Sequence, residues 1–212
     1  MVERQLRAGG IGDERVLEAM GTVPREEFLP AGRRERAYDD SALPIGHDQT
    51  MSQPWVVAAI CEGLQLRGSE EVLEVGTGSG YSAAVLARLA RHVVSIELIP
   101  ELAERAREAL ADLGYANVEV IAGDGSGDDV ARPQSYDAIA VHAVAPMLPP
   151  TLAHALRPNG RLVIPIAERG ADMLVAFHRT DDGRSDEPQL RRRAIAPCRF
   201  VPLLGAGGFP SS

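Results

Sequence analysis

VLEVGTGSGY, residues 72 to 81, is the stretch whose reading decides the fold. It begins inside EVLEV, an apolar run with the length and content of a buried strand. Gly76, Thr77, Gly78, Ser79 and Gly80 then form a glycine loop, and Tyr81 opens YSAAVLARLA, where Tyr81, Val85 and Leu89 recur on one helical face. A strand, a glycine loop and a helix in that order let backbone approach a ligand and aim the free N–H groups of a helix N-terminus at it. The spacing is G-x-G-x-G, with Tyr81 where the dinucleotide fingerprint G-x-G-x-x-G would place its last glycine. That departure favours a ligand with no pyrophosphate to cradle.

Outward from the loop, strands and helices alternate. HVVSIE reads as a second strand; PELAERAREALADLG reads as a helix opened by Pro100, stopped by Gly114 and striped by Leu102, Ala106, Ala109, Leu110 and Leu113. NVEVIAGD and YDAIAVHA are third and fourth strands, and GRLVIPIA and ADMLVAFHR a fifth and sixth. Strands this apolar, separated by helices, predict an α/β fold with a doubly wound, mainly parallel sheet covered on both faces. Beyond GRLVIPIA there is no room for long helices, so C-terminal hairpin strands are expected, with an exposed turn at Asp182-Gly183 in RTDDGRSDEP and a solvated strand face at Arg191 to Arg193.

Upstream, residues 1 to 41 look helical and broken, with Asp13 as an N-cap and Pro24 and Pro30 as punctuation. WVVAAICEGLQL has the density of a packed helix, with Val56, Val57, Ile60 and Leu64 on one side, Cys61 as a small hydrophobe and Pro54 in the first turn. The expected organisation is a single domain over 1–212, comprising an N-terminal helical cap and lid (1–54), a cofactor-binding core (55–167) and C-terminal strands with a substrate-side segment (168–212).

Two acids sharpen the ligand. Glu97 closes the second strand, where a carboxylate can accept from both hydroxyls of a ribose. Asp124, in AGDGS, ends the third strand at the same sheet edge and either accepts from an exocyclic adenine amine or is a simple turn residue before Gly125. Glu74, inside the first strand, is costly there unless paired; it either fixes the loop by accepting from its amides or contacts the ligand directly. Adenine, ribose and a positive sulfur without phosphate together describe S-adenosyl-L-methionine, and a sulfonium is well placed beside these acids. The expectation is a Rossmann-like class I methyltransferase that leaves S-adenosyl-L-homocysteine.

Composition sets limits. The chain has 212 residues, 45% of them apolar and 25% charged, as in an ordinary globule. Lys and Arg number 22 against 30 for Asp and Glu, a formal net charge of −8, which counts against nucleic acid as the main partner. MVERQLRAGG is charged from its third residue and no apolar run approaches the ~18 residues of a membrane span, so a cytoplasmic, membrane-free protein is expected. Cys61 and Cys198 are too few for a disulfide framework, and no metal-ligand spacing is visible.

PIGHDQTMSQP, Pro44 to Pro54, reads locally as linker, with neither strand alternation nor helical spacing; Ser52 or Gln53 could cap the helix that Pro54 opens. DSALPIGHDQTMSQP, VLEVGTGSGY, SIELIPELAERA, VEVIAGDGS, AVAP, GRLVIPI and the late RFVPLLG together resemble the bacterial protein-L-isoaspartate O-methyltransferases, from about residue 2 to Gly205. The pair PIGHDQTMSQP and RFVPLLG is the selective part. The resemblance implies that the first of these is a lid over cofactor and substrate. It places the catalytic serine at Ser52, which then caps and catalyses. Cofactor contacts fall at Gln49, Thr50, Met51 and Ser52, at the glycine loop, at Glu97 and at Asp124 with Gly125. Substrate contacts fall near Ile45, Gly46 and His47, with Val201 and Leu203 opposite.

The implied activity is methyl transfer from S-adenosylmethionine to the α-carboxylate of L-isoaspartyl residues in damaged peptides, by a monomer without nucleic-acid partners. The ester then closes to a succinimide that opens partly to aspartate. Asp48 stands where the resemblance expects a small residue, and His142 where it expects a small or hydroxylated one. Trp55 and Val57 replace histidines of the animal members. The alternatives are a related O-methyltransferase acting on another peptide carboxylate, a nicotinamide oxidoreductase and a non-catalytic binding module. A nucleic-acid adenine methyltransferase is disfavoured, since AVAP does not match the motif that would hold a flipped base.

Overall fold

The computed structural model describes residues 1–127, 133–184 and 187–210. A π-helical turn over Val2–Arg7 leads to α1 (Glu14–Thr22). Asp13 caps α1, its carboxylate accepting from the N–H groups of Arg15 at 2.9 Å and Val16 at 3.4 Å. Short 3-10 turns at Arg25–Phe28 and Ala31–Arg36 fill the proline-punctuated stretch that follows.

Next come β1 (Leu43–Gly46) and β2 (Gln49–Met51), an antiparallel hairpin turned by His47 and Asp48 at φ 51° and 57°. The linker reading of PIGHDQTMSQP is therefore corrected. Strand alternation is present, Leu43 and Ile45 inward and Pro44 and Gly46 outward, but two outward residues that rarely build strands hide it. Both turn residues need positive φ, which accounts for the expectation of a small residue at 48; aspartate is one of the few side chains that tolerate it.

The main layers follow in order: α2 (Pro54–Leu64), β3 (Glu71–Val75), α3 (Tyr81–Leu89), β4 (His92–Glu97), α4 (Pro100–Asp112), β5 (Val118–Ala122), β6 (Tyr136–Val141), α5 (Pro150–Ala155), β7 (Leu156–Ile166), β8 (Asp172–Arg179) and β9 (Leu190–Cys198). The seven-stranded sheet runs β5-β4-β3-β6-β7-β8-β9. Strands β3 to β7 are parallel, while β8 and β9 return as antiparallel hairpins, as the lack of room for long helices beyond GRLVIPIA predicted. The order reverses beside β3, so the crevice at the carboxyl ends of β3 and β6 is the expected ligand position. The exposed face of β9 carries Arg191–Arg193, with Arg192 paired to Glu168. Gly183 makes the anticipated turn at φ 77°, while Ser185 and Asp186 of RTDDGRSDEP lie outside the described residues.

Period-two alternation divides the central strands between two cores. Val72, Ala138, Ala140 and Val163 face α1, α2 and α3; Leu73, Val75, Ile139 and Val141 face α5 and Leu203. Helix α2 is buried on nearly every side, with Cys61 enclosed, whereas Val56 is only half-buried. Helix α5 was not visible as a pattern, and β7 starts at Leu156, ahead of GRLVIPIA, across a register shift opposite Tyr136–Ala138. Among the described residues no helix is long and apolar enough to cross a membrane.

Arg25 fastens the N-terminal segment to this core. It is fully buried, donates from Nε to the Ala37 carbonyl and from Nη2 to the Ser52 carbonyl, both at 2.7 Å, and lies 4.6 Å over the Tyr81 ring. Replacing it by methionine would leave both carbonyls without donors, so Arg25→Met is expected to cost about 2–4 kcal/mol in urea unfolding. An unchanged unfolding free energy would show that Arg25 does not hold these segments together.

Candidate functional site

The glycine loop leaves β3 with φ of 92°, 56° and 89° at Gly76, Gly78 and Gly80, which side-chain-bearing residues rarely adopt. Its first amides stay on the neighbouring strand: Gly76 N–H donates to the Ile96 carbonyl at 2.8 Å. Gly78 N–H instead donates to Glu97 Oε2 at 2.7 Å, and the other oxygen of Glu97 accepts from Ile99 N–H at 3.0 Å. Glu97 is 6% exposed, and burial raises its pKa against the opposing pull of the Gly78 and Ile99 amides. Each of its oxygens retains a lone pair for a ligand hydroxyl.

Two further walls complete a cleft above the loop. The hairpin's second strand brings Gln49, Thr50, Met51 and Ser52, and the C-terminal segment brings Val201 to Leu204. That segment is held by β-type bonds to the chain beyond β6: Val144 N–H donates to the Val201 carbonyl at 2.9 Å, and Leu203 N–H to the Val144 carbonyl at 2.8 Å. Gly76, Thr77, Gly78, Ser79, Glu97, Leu98, Ile99, Gly125 and His142 form the remaining sides. The space between these walls, counted out to its open mouth and including solvent, is about 910 Å³.

Most of the anticipated residues thus meet at one place, and some do not. Ser52 is half-buried in the cleft wall, and its hydroxyl makes no hydrogen bond among the described residues. The expectation that it caps α2 is corrected: Gln53 is the N-cap, without a side-chain cap bond, because its amide turns to Asp40 at 2.7 Å.

Glu74 is fully buried beneath the cleft and does not line it. It accepts from Ser95 Oγ at 2.5 Å, and that hydroxyl meets Thr77 Oγ1 at 2.5 Å. Neither a direct ligand contact nor a bond to the loop amides describes it; the loop is supported through two hydroxyls. Gly80 likewise does not line the cleft. It starts α3 where a β-carbon would stand 3.3 Å from Ala106 and Leu110 of α4, so it serves packing between helices.

Asp124 also departs from expectation. Its Oδ1 accepts from the N–H and hydroxyl of Ser126 at 2.8 and 2.7 Å, and its Oδ2 accepts from Ala206 N–H at 2.8 Å. Burial alone would raise its pKa, but these donors outweigh it and hold the carboxyl below its ordinary value. With its oxygens so engaged, Asp124 anchors the C-terminal segment, and its neighbour Gly125 lines the cleft.

Of the substrate-side residues, Val201 and Leu203 line the cleft. Ile45 packs over Gly78 and opens on a neighbouring groove beside α4, with its carbonyl held by Arg105 at 3.1 Å. Gly46 and His47 are exposed in the hairpin turn and do not line the cleft. Trp55 is occupied outside it, donating to the Gly9 carbonyl at 2.9 Å, while Val57 gives the cleft an apolar patch. Leu98 and Ile99, which directly follow Glu97, and Ser82 were not picked out from sequence because apolar or lone hydroxyl residues carry no pattern there.

The donor set suits S-adenosylmethionine: a Glu97 carboxylate with lone pairs left for ribose hydroxyls, and apolar surfaces at Ile96, Leu98 and Ile99 for an adenine.

Comparison with known proteins agrees. The family model described as protein-L-isoaspartate(D-aspartate) O-methyltransferase matches residues 1–207. A Rhodopseudomonas palustris (strain HaA2) protein named protein-L-isoaspartate O-methyltransferase 1 is 52% identical, covering 100% of this chain and 84% of its own. A Methanoculleus marisnigri protein named protein-L-isoaspartate O-methyltransferase is 46% identical over 99% of this chain and 92% of its own. A solved structure of the same name superimposes with a TM-score of 0.80 at 28% identity, covering 95% of this chain and 64% of that one. A Plasmodium falciparum structure in complex with S-adenosyl-L-homocysteine has a TM-score of 0.79 at 24% identity, covering 93% and 94%, and supports the fold. The full-length match sets aside the nicotinamide reading, and the chain belongs to the protein-L-isoaspartate(D-aspartate) O-methyltransferase family.

Proposed function

We propose that this protein transfers a methyl group from S-adenosyl-L-methionine to the α-carboxylate of L-isoaspartyl residues in damaged proteins and peptides. What carries the reading is the extent of the family match, residues 1–207, which takes in the hairpin with Ser52, the glycine loop with Glu97, and the C-terminal wall at Val201–Leu204.

When bound, S-adenosylmethionine supplies a methyl carbon made electrophilic by its sulfonium. The acceptor carboxylate forms the new O–C bond as the C–S bond breaks, and the bonding pair goes to sulfur, so two ions become a neutral ester and a neutral thioether. No proton moves, and no general base is required of the protein. Its residues act by alignment and exclusion of water, which can supply roughly 7–11 kcal/mol where near-attack geometry is reached.

On this reading Glu97 accepts from the ribose hydroxyls while its remaining lone pairs hold the Gly78 and Ile99 amides. The unengaged Ser52 hydroxyl donates to one carboxylate oxygen and turns the other toward the methyl carbon. Arg25 fixes the Ser52 carbonyl and hence the direction of the hydroxyl. Gln49 to Met51 cover one side and Val201 to Leu203 the other, which keeps water from the reacting atoms. The methyl ester then closes to a succinimide without help from the protein.

Incubation with methyl-labelled S-adenosylmethionine and matched isoaspartyl and aspartyl peptides is expected to give base-labile label only on the former. Label on neither, or equally on both, would overturn the assignment. Ser52→Ala is expected to lower turnover by at least about 100-fold with S-adenosylhomocysteine affinity nearly unchanged. Equal losses in both would make Ser52 a pocket-shaping residue. Glu97→Ala is expected to weaken S-adenosylhomocysteine binding by about 10- to 100-fold in calorimetry, as for loss of hydrogen bonds to a charged group. Unchanged affinity would remove Glu97 from the ribose.

A further inference from the structure

His142 stands where the resemblance expects a small or hydroxylated residue, and its surroundings are those of a cation site. It follows the carboxyl end of β6, its N–H donating to the Val75 carbonyl at 2.8 Å, and its Cβ lies 3.4 Å from where a β-carbon on Gly76 would stand. The imidazole is therefore set against the point where the glycine loop leaves β3. Its side chain is 6% exposed and forms part of the cleft wall.

Nε2 faces two groups at once: Ser82 Oγ of α3 at 2.7 Å and Glu74 Oε1 of β3 at 3.3 Å. Glu74 is fully buried, and Oε1 has no hydrogen-bond partner among the described residues, since Ser95 serves only Oε2. A buried carboxylate with one oxygen unsatisfied is stabilised by a positive neighbour. The other titratable groups near the pair cannot provide one. Burial first, and Glu74 after it, hold the Cys61 thiol of α2 far above its ordinary range, so it stays neutral, and Glu97 at the end of β4 is another acid.

The cleft itself has the same need. Among the described residues no Lys or Arg lines it, yet both proposed reactants carry a carboxylate, one at the amino-acid end of the cofactor and one on the acceptor. Among the described residues His142 is the one lining side chain able to carry a positive charge. Nε2 is turned to Ser82 and Glu74, and Nδ1 has no partner among the described residues.

We infer that His142, as an imidazolium paired with Glu74, is a carboxylate-binding residue of the cleft, donating from Nδ1 to a carboxylate oxygen of cofactor or acceptor. This rests on the cofactor assignment proposed above. Position allows either source, because His142 abuts the glycine loop on one side, and two residues further on Val144 is bonded to the substrate-side segment at Val201 and Leu203.

The test uses the intact protein and His142→Gln, which keeps an N–H donor and cannot carry charge. Calorimetry is run with S-adenosylhomocysteine and with methylthioadenosine, which lacks the amino-acid end, and KM is measured for an isoaspartyl peptide. If the cofactor carboxylate is bound, the variant loses about 10- to 100-fold in S-adenosylhomocysteine affinity and none in methylthioadenosine affinity. If the acceptor carboxylate is bound, nucleotide affinity is unchanged and the peptide KM rises by a similar factor.

Unchanged affinity and KM in the variant would overturn the inference. Nitrogen NMR of the parent protein decides independently of whether the variant folds. A doubly protonated His142 ring at neutral pH that shifts on ligand addition is expected, and a neutral or unresponsive ring would overturn it. Failure of the parent protein to bind S-adenosylhomocysteine at all would instead overturn the cofactor assignment, and the inference with it.

Discussion

The site depends on how closely backbone can pass through the loop between β3 and α3. Gly76 lies against His142 beyond β6, Gly78 under Ile45 of the hairpin, and Gly80 against Ala106 and Leu110 of α4; a β-carbon would fit tightly at the last two, and positive φ would strain a side chain at all three. Glu97 completes the clamp by taking the Gly78 amide, so the carboxylate that faces the cleft also shapes the loop beside it. A loop held from three sides and from the adjacent strand is pre-organised, and little ordering is left to be done when a ligand enters.

Buried polar groups surround this clamp and give it direction. Beneath the loop, Thr77, Ser95 and Glu74 form a hydroxyl–hydroxyl–carboxylate chain whose free end meets His142. Above it, the Arg25 guanidinium bridges two carbonyls and rests on Tyr81, the first residue of α3. Interactions of this kind contribute little net stability when complete, because desolvation offsets most of the attraction. Their consequence is geometric: losing one partner leaves the other stranded in a low-dielectric interior, so the arrangement with all partners satisfied is strongly preferred. Ser52 inherits its placement from Arg25, and His142 from Glu74 and Ser82.

The far wall is made by contacts distant in sequence. Asp124 and Ser126 at the end of β5 bind the amides of Ala206 and Gly207 at 2.8 and 3.0 Å, while Val144 pairs with Val201 and Leu203. Gly205 lets this segment lie directly on the Asp124 carboxylate, at φ 129°. The strand ends next to the glycine loop are thus also the anchors of the C-terminal segment, which couples the two sides of the cleft.

The sequence alone determined the layered fold and most of the cleft, because both are written in short-range patterns. Apolar strands alternating with striped helices imply a covered parallel sheet, and G-x-G-x-G with Glu97 at the next strand end implies a nucleoside-like ligand without pyrophosphate. Only the tertiary structure decided the rest. A hairpin turned by His47 and Asp48 lacks the Asn-Gly or Asp-Gly pair that would announce it, and Asp124 looks ligand-facing until Ala206, 82 residues away, is seen to use its carboxylate. Likewise Glu74 and His142 are a lone acid and a lone histidine until β3 and β6 are paired. The physical reason is common to all three: a hydrogen-bonding group has several possible partners along the chain, and which of them it meets is settled only when strands from distant segments lie side by side.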